Sequence, residues 1–306
     1  MVPVSRREQD FCYIRLFLRS CCFSFIKMEL EIVSEVDFIK MSFLPDIAAS
    51  KVAGLCGLHK YQQPVEVMFD MLYKHIPTKV AIDALMTAEN RRPFNKIKNE
   101  VLRNKDIMNI VGRAVRNTKG VENITPILEG VESQARTAIA LRYSEYSESV
   151  RSLLVDEVRG AVAKQRGIQN ENAGLNTYEN THAVEVKDRN TMTFKKTYEK
   201  FKLNGRTDGF VTEHNRVVDA KERTRWWTEP PLYDEIQLRV YMELTGAKEA
   251  ELFESFPDGR TRTTKYENDP IKWSVINSGI LGAVEKMQSA IDNPAELRDI
   301  VFANTV

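Results

Sequence analysis

The sequence predicts a mixed α/β chain of the α+β kind, with a mixed central sheet flanked by helices and a large helical N-terminal and insertion region. Three observations carry this. Residues 215–222, Asn-Arg-Val-Val-Asp-Ala-Lys-Glu, alternate with a period of two around the β-branched pair Val217 and Val218, which reads as a strand. Residues 233–242, Tyr-Asp-Glu-Ile-Gln-Leu-Arg-Val-Tyr-Met, read as a helix, and residues 251–256 and 261–266 form a hairpin around Pro257-Asp258-Gly259. The chain has 306 residues, 42% hydrophobic and 28% charged, which describes a globular protein of one large or two modest domains with a sizeable core.

Residues 11–26 are apolar, but Arg15 and Arg19 interrupt them and no small-residue cleavage site follows, so neither a membrane anchor nor a signal is expected. Residues 1–40 read as an N-terminal extension, not native or disordered, with Met28 or Met41 as the alternative start. Residues 41–306 read as one domain with a helical insertion at about 76–160 and a core at about 161–292. Residues 91–119 look like one amphipathic basic helix carrying Arg91, Arg92, Lys96, Lys98, Arg103, Lys105, Arg113, Arg116 and Lys119, with Ile97, Val101 and Met108 on its apolar side. It is either a solvated face or a duplex-binding wall. A second helical pattern runs from about 126 to 164 with a break near Ser144, and places Tyr143, Tyr146, Val150, Leu153, Leu154 and Val158 on one core face. A curved hairpin spans about 193–211, and a last helix begins near Asp269. Trp226 and Trp227 lie in a loop ended by Pro230 and Pro231, as anchors or as base-stacking rings.

Chemistry concentrates on Asp208, in Gly-Arg-Thr-Asp-Gly, and Asp219, in Val-Val-Asp-Ala-Lys. On a strand Asp219 and Lys221 share one face, whereas Val218 and Ala220 face a core. Gly205 and Gly209 beside Asp208 permit a bent or closely approached backbone. Two carboxylates, a carbonyl and substrate phosphate oxygens are a sufficient set for magnesium, which keeps several waters. An ammonium beside metal-bound water orients or helps deprotonate it and offsets charge developing on phosphorus. Gln237 and Tyr241, four apart, share one helix face. His182 and His214 have no partner at ligand spacing, and the four cysteines, Cys12, Cys21, Cys22 and Cys56, form no metal cluster and suggest a reducing compartment.

The order of Asp208, then Asp219-Ala220-Lys221, then Gln237 and Tyr241 resembles the PD-(D/E)XK nuclease superfamily with its restriction-endonuclease-like fold, and the Gln-x-x-x-Tyr pair resembles its lambda-exonuclease and RecB-like branch. Residues 47–61, Ile-Ala-Ala-Ser-Lys-Val-Ala-Gly-Leu-Cys-Gly-Leu-His-Lys-Tyr, and residues 166–178, with Glu171, are similar to YqaJ-type viral recombinases. The resemblance covers about half the chain. It implies that Glu171, Asp208, Asp219 and the Ala220 carbonyl hold one or two Mg2+ ions, which Mn2+ can replace, with Lys221 on the nucleophilic water, Gln237 steadying the set and Tyr241 at DNA or the site's edge. Ser50 stands where a terminal phosphate is met in such exonucleases, near a helix N-terminus. Lys51 and Arg206 are further phosphate contacts.

The function so implied is a magnesium-dependent exonuclease acting 5′ to 3′ on linear duplex DNA with a free end, in viral recombination, repair or genome processing. Partners would be DNA, a single-strand annealing protein and further copies of the chain, without a membrane, in the cytoplasm or nucleus of an infected cell. An endonuclease or flap nuclease on the same site, and a non-catalytic DNA-binding protein on a nuclease fold, remain open. The net charge of +1 means that any DNA surface comes from local clustering.

Overall fold

A computed structural model describes residues 43–306 apart from Gly120, Glu122, Thr224, Arg225 and Pro257. The expectations for residues 1–40, including Cys12, Cys21 and Cys22, lie outside the described residues. A short strand β1 (Asp46–Ala48) leads into α1 (Ala49–Leu55), followed by α2 (Pro64–Leu72) and α3 (Ile76–Ala88). Four further helices follow, α4 (Phe94–Arg103), α5 (Lys105–Asn117), α6 (Thr125–Arg142) and α7 (Glu148–His182). Strands β2 (Thr193–Thr197), β3 (Lys202–Arg206), β4 (Gly209–Val211) and β5 (Arg216–Glu222) precede α8 (Leu232–Thr245). Strands β6 (Glu249–Ser255) and β7 (Thr261–Glu267), then α9 (Pro270–Asp292) and α10 (Pro294–Ala303), complete the chain.

The class is mixed α/β, as expected, but the strands form two sheets, in the orders β1-β3-β2 and β4-β5-β6-β7. They part at Thr207 and Asp208, between β3 and β4, where the ladder is interrupted. β5 and β6 run parallel because α8 carries the chain back between them, whereas β6 and β7 make the expected antiparallel hairpin. Helix α7 packs on β5 and β6, while α8 packs on β3, β5 and β6 and meets α1 on its other side. β5 is therefore buried on both faces: Val218 and Ala220 join Leu175 and Tyr178 of α7, and Val217 and Asp219 are buried as well. The expectation that only the Val218 and Ala220 face meets a core is corrected accordingly.

Three helical expectations also change. The basic stretch 91–119 is two helices, because Asn104 takes an extended backbone (φ −62°, ψ 131°) and its side chain accepts from Asp106 N at 3.0 Å, capping α5. With that break Met108 turns to solvent, and Ile107, Ile110, Val111, Ala114 and Val115 face inward instead. Leu153, expected in the core, is exposed, and the inward stripe of α7 is Val150, Leu154, Val155, Val158 and Val162. Helix α7 is also longer than either expected piece: its 35 residues, spanning roughly 50 Å, run unbroken through Gly160 and Gly167. It joins two cores, one shared with α4, α5 and α6, and one under the sheet. Among the described residues no helix is long and apolar enough to cross a membrane.

Candidate active site

The β4–β5 ladder ends at Gly209 opposite Val218, whereas β5 continues along β6 through Asp219, Ala220 and Lys221. Asp208 sits where β4 would have supplied the next rung. Its Oδ2 accepts from Ala220 N at 3.0 Å, so a carboxylate replaces a backbone carbonyl. The N–H and C=O of one strand residue point to the same side, so the Ala220 carbonyl faces the gap that Asp208 enters. Two glycines make this possible. A Cβ on Gly205 would stand 2.9 Å from Tyr241 and Leu244, and one on Gly209 would stand 2.1 Å from the Val186 side chain.

Lys221 Nζ lies 2.7 Å from Asp219 Oδ2 and 4.0 Å from Asp208 Oδ2. Asp219 is 1% exposed and Asp208 8%. Burial, then the neighbouring Asp219 charge, pushes the Asp208 carboxyl well above the usual carboxylate range, with Glu171 adding to the effect and Lys221 and the Ala220 N–H opposing it. Burial alone lowers the Lys221 ammonium, but Asp219, Asp208 and Asp234 more than reverse this and hold it protonated. A protonated ammonium donates and stabilises charge.

Glu171, on α7, accepts from Asn190 Nδ2 at 2.6 Å, and Asn190 N in turn donates to the Asp208 carbonyl at 3.2 Å. Asn190 has φ 54°, a left-handed conformation that Asn tolerates, and it ties Glu171 to the Asp208 turn. Glu171, Ala220, Lys221 and Glu222 line a groove of about 220 Å³ between α7 and β5. On the other face Gln237 Nε2 donates to the Tyr241 hydroxyl at 2.6 Å. Tyr241 is 5% exposed, and burial, then Asp219, raises its hydroxyl pKa. It is a buried support beneath the aspartates, held flush by Gly205, and not a residue at the site's edge.

Among the described residues no group of three His, Cys, Asp or Glu side chains is arranged to hold a metal by itself. The donors that stand together are the Asp208 and Asp219 carboxylates, beside the Ala220 peptide, with Glu171 bonded to Asn190. They fit a hard dication on two observations: Asp219 Oδ1 is buried with no hydrogen-bond partner, and Asp208 is strained by a like charge. Ser50 and Arg206 are exposed, on the first turn of α1 and at the end of β3, and Lys51 pairs with Asp70 at 3.8 Å.

Sequence reasoning missed Asn190 and the pair Arg223–Asp234 (2.6 Å), through which α8 begins against the end of β5 and brings a carboxylate to act on Lys221. Asp234 reads in sequence only as an acid in the first turn of a helix; nothing marks its partner. Arg166 pairs with Glu222 and fixes α7 to the site strand. The loop tryptophan Trp226 packs on Phe256 (4.4 Å) with Arg260 and Arg262 over its ring, which makes it an anchor.

No family model matches this chain, and no curated protein matches it. Solved structures similar to it include exonucleases. An alkaline exonuclease from Laribacter hongkongensis is 18% identical, with a TM-score of 0.37 over 42% of this chain and 71% of that one. The same exonuclease in complex with dAMP is 16% identical, with a TM-score of 0.37 over 54% of this chain and 94% of that one. A phage-related exonuclease from Haemophilus somnus 129PT is 16% identical, with a TM-score of 0.34 over 42% and 70%. At this level of likeness no residue role transfers by position.

Proposed function

We propose that this chain is a magnesium-dependent deoxyribonuclease that hydrolyses phosphodiester bonds at the ends of linear duplex DNA, in the 5′ to 3′ direction, in viral recombination, repair or genome processing. The observation that carries the reading is the buried pair Asp208 and Asp219 with Lys221 between them, at the point where the β4–β5 ladder stops. Magnesium, or manganese in its place, would be held by Asp208, Asp219 and the Ala220 carbonyl, and when bound it supplies Lewis-acid polarisation of a phosphate oxygen and a more acidic water. Lys221, kept protonated by its carboxylates, orients the attacking water and offsets negative charge as it builds on the phosphate. Asp208 holds the Ala220 peptide in place through its N–H, which fixes the carbonyl's direction. Gln237 and Tyr241 keep the floor of the site rigid. Glu171 faces the groove and adds negative potential at Asp208.

The direction of digestion and the duplex-end preference come from the motif resemblance, as do an annealing-protein partner and assembly of several copies around DNA. Hydrolysis of end-labelled linear duplex in magnesium tests the site. Replacing Lys221 by Ala removes a charge that acts on the transition state and lowers kcat by roughly 10²–10³-fold. Asp219→Ala removes a ligand as well and falls at least as far. Full activity in either variant contradicts the assignment.

A further inference from the structure

We propose that His59, Tyr61 and Tyr233 form an aromatic platform that stacks on the terminal base of the DNA whose phosphodiester meets Asp219 and Lys221. The inference rests on the nuclease reading and adds to it a subsite for the nucleobase. His59 lies after α1 and stacks on Tyr233, the second residue of α8, with ring centroids 4.4 Å apart and planes 27° from parallel. Tyr61 makes a T-shaped contact with the same imidazole, with ring centroids 6.2 Å apart and planes at 71°. The Tyr61 N–H donates to His59 Nδ1 at 3.1 Å, which holds the turn that presents the phenol.

The platform is open. Tyr61 is 62% exposed, and Leu58 and Leu232, next in sequence to His59 and Tyr233, are exposed as well. These exposed apolar groups are surface that a flat ligand can cover. The covering group is identified by the charges around the rings. Lys60 Nζ stands 5.5 Å from the Tyr61 ring centroid, and the Lys51 ammonium acts on His59. Burial, then Lys51, lowers the His59 pKa, so the imidazole in the stack is neutral. Neutral rings bordered by ammonium groups match a flat base with its attached phosphate, and they suit any of the four bases because each has a π face.

The platform also lies near the site: Tyr233 is followed by Asp234, which pairs at 2.6 Å with Arg223, two residues beyond Lys221. Burial, then the adjacent Asp234 charge, raises the Tyr233 hydroxyl, and Arg223, Tyr61 and Lys221 act on it too. Tyr233 is thus within electrostatic reach of both the exposed ring and the site lysine. Trp226, 44% exposed, differs in that Phe256, Arg260 and Arg262 already pack on its ring.

The test uses a short blunt duplex with 2-aminopurine at its 5′-terminal position, a second duplex with the label in the interior, and the full chain in EDTA so that no strand is cut. Wild type quenches the terminal label on binding and leaves the interior one unchanged. Tyr61→Phe, which keeps the ring, retains the quench. Tyr61→Ala loses it and binds the duplex end about fivefold to a hundredfold more weakly, the range expected for one lost base stack. Because Tyr61 is exposed, neither substitution threatens the fold, and Tyr233→Leu gives an independent second variant. A terminal quench that survives both Tyr61→Ala and Tyr233→Leu overturns the platform while leaving the nuclease reading intact. So does a Tyr61→Ala variant that keeps the quench but loses self-association in sedimentation, which would make the patch a contact between copies. A wild type that neither binds nor cuts duplex DNA overturns both readings together.

Discussion

Asp208 and Asp219 each bury a carboxylate close to the other, with the Lys221 ammonium against both. The protein alone leaves this arrangement unbalanced: one oxygen of Asp219 has no partner, and Asp208 carries the cost of burial beside a like charge. Asp208→Asn keeps an acceptor for the Ala220 N–H and removes that repulsion. The metal-free variant should therefore melt above wild type at neutral pH, by about 1.5 °C for each kcal/mol relieved in a chain of this size, while hydrolysis is lost. Added magnesium should raise the melting temperature of wild type and leave that of Asp208→Asn unchanged. A variant that melts lower than wild type in EDTA would show that the Asp208 charge supports the fold instead of straining it.

At the level of elements, β5, β6 and β7 are held in register by ion pairs that cross the sheet. Glu249 on β6 takes Arg216 of β5 and Lys265 of β7, and Arg216 reaches on to Glu251 at 2.9 Å. Burial raises the Glu249 carboxyl, but Lys265 and Arg216 outweigh it and hold the pKa below the usual range. Because the folded value is the lower one, Glu249 contributes stability that is present above the ordinary carboxylate range and lost as pH falls through the folded value. Glu249→Gln should thus melt below wild type at pH 7, with the gap closing as the pH is lowered towards that value. A gap that is constant with pH would mean the side chain acts by shape and not by charge. The other end of β5 is tied by Arg223 to Asp234 and Glu254, and this connects the start of α8 to the site.

Across the whole molecule, much of the site was legible because period two is a local signal. It put Asp219 and Lys221 on one face of a strand, and the glycines beside Asp208 announced a close approach that Tyr241, Leu244 and Val186 in fact make. What was not legible depends on partners far away in sequence. Nothing local says that Asn190 will hold Glu171, that Arg223 will hold Asp234, or that His59 will lie on Tyr233. Helix boundaries failed for a related reason. Asn104 breaks a run that period alone continues, and α7 passes through three glycines because two separate cores hold it straight. The molecule that results is a sheet carrying the site, with a helical region joined to it through α7 and, in the proposed reading, an aromatic platform for the DNA end beside the reacting phosphate. Digestion of end-labelled linear duplex and covalently closed circular DNA, each with magnesium and with EDTA, tests the central claim most directly. The proposed exonuclease reading predicts loss of the linear duplex from its ends in magnesium only, with the closed circle intact. An inert linear duplex under magnesium and manganese alike, or hydrolysis that persists in EDTA, would contradict it.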